Sequence, residues 1–207
     1  MRNEEKKNQR REAILDAFES LIARYSVDKT TMQEIADSVG ISVGTLYNEF
    51  ADKEALIDAL VDRLEASLDK KINGINFTGD APDEQLVKFL MVVLDLADEL
   101  IRNNRSLADY IISGSQKFRY VGKKIHQDVS RGGLAVGKQV RSIVQSGVSQ
   151  GVFEVDDIEE VSSAITQVVT TYTLTRLFND QQQDQADHKI WFAWFRLLVR
   201  GLMRRAK

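Results

Sequence analysis

The sequence predicts an all-α protein, and three observations carry that reading. Apolar residues recur at spacings of three and four through most of its 207 residues, capping residues punctuate those runs, and no strand-length segment keeps a period of two. A single proline and a hydrophobic content of 43% fit helices that bury one face each.

Taken in order, Ile14, Leu15, Phe18, Leu21 and Ile22 define an amphipathic first helix over about residues 9 to 24, which the basic residues Lys6, Lys7, Arg10 and Arg11 precede or open. Thr31-Met-Gln-Glu34 has the capping-box pattern, so a short helix starts there, turns Ile35, Ala36 and Val39 inward and leaves through Gly40. Ser42 caps a second short helix ending near Phe50. Asp52 caps a longer helix that carries Leu56, Ile57, Leu60, Val61, Leu64 and Leu68 to about residue 71. After the loop INGINFTGDAP, Pro82 opens a helix that closes at Asn103 and Asn104. Residues 105 to 135 read as short helical pieces separated by Gly114, Gly122 and the Gly132-Gly133 pair. Val136, Val140, Ile143, Val144 and Val148 make a further helix before Gly151. Two long helices end the chain, from about Asp156 to Phe178 and from about Gln185 to Arg205, divided by the polar tract NDQQQDQADH.

Composition excludes several classes. With no cysteine there is no disulfide framework, no thiolate zinc site and no cysteine nucleophile. The charged start MRNEEKKNQRR lacks the apolar stretch of a signal peptide, and no run approaches the roughly 18 apolar residues of a membrane span, so a cytoplasmic protein without membrane partners is expected. A net charge of -3 decides little about nucleic acid, because local charge on the contacting face governs that binding.

The two short helices joined at Gly40 have the helix-turn-helix arrangement, in which the second helix enters the DNA major groove N-terminus first. Small Ala36 admits that helix closely, and Val39, Ile41, Leu46 and Phe50 are positioned to pack on Phe18 and Leu21. Ser42, Val43, Gly44, Thr45, Tyr47 and Asn48 are left to face DNA. The segment TTMQEIADSVGISVGTLYNEFADKEAL resembles the DNA-binding segment of the TetR family of transcriptional regulators. The resemblance rests on Thr31 before Ile35-Ala36, on Gly40, Ser42, Gly44-Thr45-Leu46-Tyr47, Phe50 and Lys53, and covers about the first quarter of the chain. It implies that Thr31, Tyr47 and Lys53 hold phosphates while Val43, Gly44, Thr45 and Asn48 lie near base edges. It also implies a DNA-binding domain over residues 1–53 and a larger helical domain for ligand binding and dimerisation over 54–207. Val43 departs from the family pattern, which often has Lys or Arg there; valine cannot hydrogen-bond guanine but can touch a thymine methyl.

In the remainder, Ile158, Val161, Ile165, Val168 and Tyr172 repeat with coiled-coil-like spacing. The last helix is apolar nearly all round, including Trp191, Trp194, Phe195 and Leu198, and so needs cover on two sides. Of these, Ile158, Val161, Ile165, Val168, Trp191, Trp194, Phe195 and Leu198 are the expected homodimer interface. Phe89, Leu94, Tyr110, Ile111, Phe118, Tyr120 and Tyr172 are candidate walls for a small-molecule effector, with plain core packing the competing reading for each. His126 and His188 lack companions at ligand spacing, so neither a metal site nor a cofactor is expected.

Two catalytic patterns occur and are discounted. Gly40-Ile-Ser42-Val-Gly44 spells a nucleophile elbow, but Ser42 follows a helix rather than a strand. Gly132 to Lys138 spells most of a phosphate-binding loop, but Gln139 stands where a Ser or Thr should hold magnesium. The expectation is a non-enzymatic regulator, most simply a repressor released from operator DNA by a small, largely apolar ligand. The alternative is a related DNA-binding protein without a ligand, acting through protein partners.

Overall fold

A computed structural model describes residues 2–77, 79–113, 135–178 and 184–203. Among these residues the elements are α1 (Arg2–Tyr25), α2 (Met32–Val39), α3 (Val43–Glu49), α4 (Lys53–Asn73), α5 (Pro82–Asn103), α6 (Arg105–Ser113), α7 (Ala135–Ser149), α8 (Ile158–Phe178) and α9 (Asp184–Leu202). The described residues within Met1–Ser67 and Arg102–Ser115 form one compact unit, and those within Leu68–Ile101 and Gln116–Lys207 form another.

The first unit is built on one small core. Ile14 and Phe18 of α1, Ile35 of α2, Leu46 of α3 and Leu56 and Leu60 of α4 are each fully buried in it. At about 1.5–3 kcal/mol per buried large side chain, this burial outweighs any single cap or surface ion pair in the unit. Over the core, Arg63 of α4 reaches three carboxylates of α1, at 2.6 Å from Asp16 Oδ1, 2.5 Å from Glu19 Oε2 and 3.4 Å from Glu12 Oε2. Burial alone would lower the Arg63 pKa; the carboxylates prevail and raise it.

This unit extends past residue 53, where the sequence places the end of the DNA-binding domain. Leu56, Ile57 and Leu60 of α4 face the same core as α1, and α6 adds Leu107. Tyr110 and Ile111 of α6 pack against that core too, and the Tyr110 hydroxyl donates to Glu54 Oε1 at 2.7 Å. That bond, then burial, pushes the phenol up to about 12.

The second unit centres on Phe89, Leu90 and Leu94 of α5, Val140 and Val144 of α7, Ile165 and Tyr172 of α8, and Phe195 of α9. Asp157 caps α8, its Oδ1 accepting the Glu159 and Glu160 backbone N–H groups at 2.7 and 3.1 Å. After α7 the chain turns at Gly151, φ 71°, and lays the Phe153 ring against Gly147, where any Cβ would overlap it. Phe153 pairs with Met203 in an isolated antiparallel bridge, and Glu154 N–H donates to Leu202 O at 2.9 Å, tying the end of α9 to this turn. Inside the unit, Asp98 of α5 accepts from Tyr172 Oη at 2.7 Å and from Arg176 Nε at 2.9 Å. Burial, then the bond to Asp98, raises the Tyr172 phenol.

Three sequence expectations are adjusted. The first helix starts at Arg2, not near residue 9: its opening turns bury no apolar side chain and rest on good helix formers, with Glu4 and Glu5 suited to the N-terminal end of the dipole. Arg105–Ser113 is one helix, and the rest of the glycine-punctuated stretch, with Phe118 and Tyr120, lies outside the described residues. The helix after the 150–156 turn begins at Ile158 rather than Asp156, because the capping carboxylate belongs to Asp157. No described helix is long and apolar enough to cross a membrane.

Candidate nucleic-acid interface

The reading unit is assembled from caps. Thr31 is the N-cap of α2, φ -106° and ψ 156°, and its Oγ1 accepts the Glu34 N–H at 3.2 Å. In return Glu34 Oε2 accepts both the Thr31 backbone N–H and the Thr31 hydroxyl, each at 2.8 Å. The bond from the Thr31 backbone, ahead of that from its hydroxyl, holds the Glu34 carboxyl below its usual range. At the other end Gly40 adopts φ 72°, the left-handed conformation that lets its own N–H bond back to α2 and the Ile41 N–H reach Ala36 O at 3.0 Å. Two residues later Ser42 caps α3: its Oγ accepts the Thr45 N–H at 3.1 Å and lies 2.8 Å from Thr45 Oγ1. Ser42 therefore serves as a helix cap between two helices, not as the serine of a nucleophile elbow.

From this frame α3 presents a polar face. Leu46 and Phe50 turn into the core at 0% and 2% exposure, whereas Ser42, Gly44, Tyr47 and Asn48 stand outward, Tyr47 at 50%. Tyr47 is thus no core aromatic. Val43 and Thr45 are half-buried, and Val43 packs against the core of the unit, so only part of its surface is open. Lys53 opens α4 and makes one long contact, 3.5 Å from Nζ to Asp28 O, which a stronger acceptor readily replaces. Seven of the eight proposed contact residues belong to or cap the helix-turn-helix, and Lys53 follows three residues after Phe50.

The structure also shows what the sequence left out. Arg10 and Arg11, two of the basic residues at the start of the chain, are paired with Glu49, the last residue of α3. A partnership 38 or 39 residues apart in the chain leaves no trace in helical periodicity.

The other candidate residues divide. Phe89, Leu94 and Tyr172 share the second unit's core, whereas Tyr110 and Ile111 pack in the first unit's core. These five are the pocket candidates among the described residues; Phe118 and Tyr120 lie outside them. Of the dimer candidates, Ile165 and Phe195 are buried at 1% and 0% in the chain's own core. Ile158, Val161, Val168, Trp191 and Leu198 pack partly against it, and Trp194 is 61% exposed. Nearly all-round apolarity in α9 hid which side faced inward; the outward side carries Ile190, Trp194 and Leu197.

Fold and site together define an all-α protein with an N-terminal helix-turn-helix. Residues 14–60 match the model of bacterial regulatory proteins of the tetR family. The HTH-type transcriptional repressor KstR2 of Mycobacterium tuberculosis is 39% identical over 54 residues, 26% of this chain and 27% of the relative. Nucleoid occlusion factor SlmA of Yersinia enterocolitica is 31% identical over 96 residues, 46% of this chain and 48% of that protein. The matched segments thus span from about a quarter to about half the length of these curated relatives. A TetR-family transcriptional regulator from Pectobacterium atrosepticum shares the fold at a TM-score of 0.70 and 18% identity, with 98% of each chain covered. The likeness to the TetR family of transcriptional regulators thus lies in residues 14–60, and over the whole chain it is a likeness of fold.

The capping box has a pH signature. A carboxyl held low in the folded state adds stability that is complete above its ordinary range and disappears as pH falls through the lowered value. In urea unfolding, Thr31→Ala is expected to cost about 1 kcal/mol at neutral pH. Glu34→Gln keeps the acceptor but not the charge, so the stability gap between it and the unmodified chain should narrow from pH 7 toward pH 3. A gap constant across that range would show that the charge of Glu34 contributes nothing.

Proposed function

We propose that this protein is a sequence-specific regulator of transcription that binds double-stranded operator DNA in the cytoplasm as a homodimer, and that it is a repressor released by a small, largely apolar ligand. The observation that carries the DNA-binding reading is the polar outward face of α3, with Tyr47 and Asn48 exposed on a helix whose other side is fixed by Leu46 and Phe50. Such a helix fits the major groove, where each base pair presents a distinct pattern of donors and acceptors. Residues 1–53 supply the contacts in this reading, and 54–207 supply ligand binding and dimerisation.

Positioning and reading separate within this face. On a duplex selected by the protein from a random pool, and on a scrambled duplex, Tyr47→Phe and Lys53→Ala are expected to weaken binding alike, because phosphate contacts carry no sequence information. Lys53→Ala should also reduce the salt slope by about one per half-site. Thr45→Ala, Asn48→Ala and Val43→Ala should instead lose on the order of 1–3 kcal/mol on the selected duplex alone, Val43 least because it is partly covered. A change of sequence preference in Tyr47→Phe, with Asn48→Ala silent at every base, would mean a different docking of α3.

The homodimer rests on the outward side of α9. Ile190, Trp194 and Leu197 are 56%, 61% and 63% exposed at spacings of four and three, a stripe whose cover by a second copy removes a large apolar surface from water. Exposed Ala193 and Gly201 flank it and permit close approach; a Cβ at Gly201 would meet nothing within 4 Å. Trp194→Glu is expected to give a folded monomer by light scattering and circular dichroism. Ile165→Glu, its side chain buried at 1%, should unfold the chain instead. An unmodified protein that is monomeric at micromolar concentration would contradict the assignment.

The second reading, a DNA-binding factor without a ligand that acts through protein partners, is supported by the match over 96 residues to a nucleoid occlusion factor. A metabolite panel separates the two. A compound that raises the melting temperature should also lower affinity for the selected duplex, since it acts through unequal affinity for DNA-competent and incompetent states. Compounds that stabilise the protein yet leave DNA affinity unchanged would support the partner-driven reading.

A further inference from the structure

We infer that Glu49 is a positioning residue for base recognition, gripped by Arg10 and Arg11 of α1 so that the roll of α3 about its own axis is fixed. The inference rests on the DNA-binding reading above and adds to it a role for three residues that the helix-turn-helix pattern does not assign.

The two ends of α3 are held differently. Its N-terminus is closed by Ser42, a local cap that limits fraying but does not by itself set the roll of the helix, which Leu46 and Phe50 fix from the buried side. Its C-terminus is tied to another helix. The Glu49 side chain is only 5% exposed, with Oε1 at 3.2 Å from Arg10 Nη1 and Oε2 at 3.9 Å from Arg11 Nη1. Arg11 Nη1 also donates to the Glu49 backbone carbonyl, and its guanidinium stacks over the Phe50 ring at 4.1 Å from the centroid. Two cations at the carbonyl end of a helix complement its dipole, and a carboxylate so far withdrawn from water depends on them.

Consecutive arginines on α1 thus grip the side chain, the carbonyl and the next ring of the residue that follows Tyr47 and Asn48. Successive side chains on a helix are about 100° apart, so a small roll at Glu49 swings Asn48 sideways across the groove. Direct readout tolerates displacements of only a fraction of an ångström before hydrogen-bond geometry is lost. In this arrangement Arg10 and Arg11 are struts of the reading head, their charge directed at Glu49 rather than at phosphates.

The test uses full-length Glu49→Gln, Arg10→Gln and Arg11→Lys, each titrated over a range of salt with the duplex the unmodified protein selects and with a scrambled duplex of the same composition. The expected result is that discrimination between the two duplexes falls by about tenfold or more in each variant. The salt slope on scrambled DNA should stay unchanged in Arg10→Gln, and stay unchanged or steepen in Glu49→Gln as the arginines are released. If Arg10→Gln instead lowers that slope by about one per half-site and leaves discrimination intact, Arg10 is a phosphate contact and the inference is overturned. Intact discrimination in folded Glu49→Gln overturns it equally. Should Glu49→Gln fail to fold, Arg10→Gln decides alone, since the Arg10 side chain is 45% exposed and its loss leaves the core intact. Failure of the unmodified protein to select any sequence is a different result, because it removes the DNA-binding reading itself.

Discussion

Everything in the proposed reading head depends on a seven-residue helix that cannot hold itself together. A helix of two turns is far below the length at which propagation repays nucleation, so α3 exists only because its surroundings impose it. Leu46 and Phe50 contribute most, each on the order of 2 kcal/mol by burial, and the Ser42 cap contributes about half as much. The grip of Arg10 and Arg11 on Glu49 adds direction rather than bulk stability. This division explains why the outward residues are free to be polar: the burial that holds α3 comes from Leu46 and Phe50, not from the side that carries Tyr47 and Asn48.

Local chemistry was legible in the sequence, and distant pairing was not. Thr31, Gly40, Ser42 and Asp52 announce themselves because a cap or a left-handed turn needs particular residues at particular offsets, and the structure uses each in that way, with Asp52 Oδ1 accepting the Ala55 N–H at 2.8 Å. The partnerships of Arg63 with Glu12, Asp16 and Glu19, and of Tyr110 with Glu54, join helices far apart in the chain. On a single helix such residues look like ordinary solvated charges, and nothing local marks them as partners. For the same reason α6 gave no sign that its Leu107 joins the N-terminal core.

The second unit shows the other limit of pattern reading. In α8 a seam of period 3.5 was evident, but periodicity identifies a buried face without saying whose core buries it, and Ile165 lies in its own chain's core. In α9 apolar residues occupy almost every turn, and the structure separates inward Phe195 and Val199 from outward Trp194 and Leu197. Tyr172 is a candidate pocket wall for which plain core packing is the competing reading. It is buried in the core, with its hydroxyl on Asp98 and its ring edge-to-face with Trp191 at 5.1 Å.

The central claim is that α3 enters the major groove of a specific sequence, and chemical interference tests it most directly. Dimethyl sulfate methylates guanine N7 in the major groove and adenine N3 in the minor groove, and protein-bound and free fractions of a selected duplex report which modifications block binding. The expected result is interference at major-groove guanines in two half-sites about one helical turn apart, with the minor groove silent between them. Interference confined to minor-groove adenines, or an even pattern along the duplex, would contradict the account.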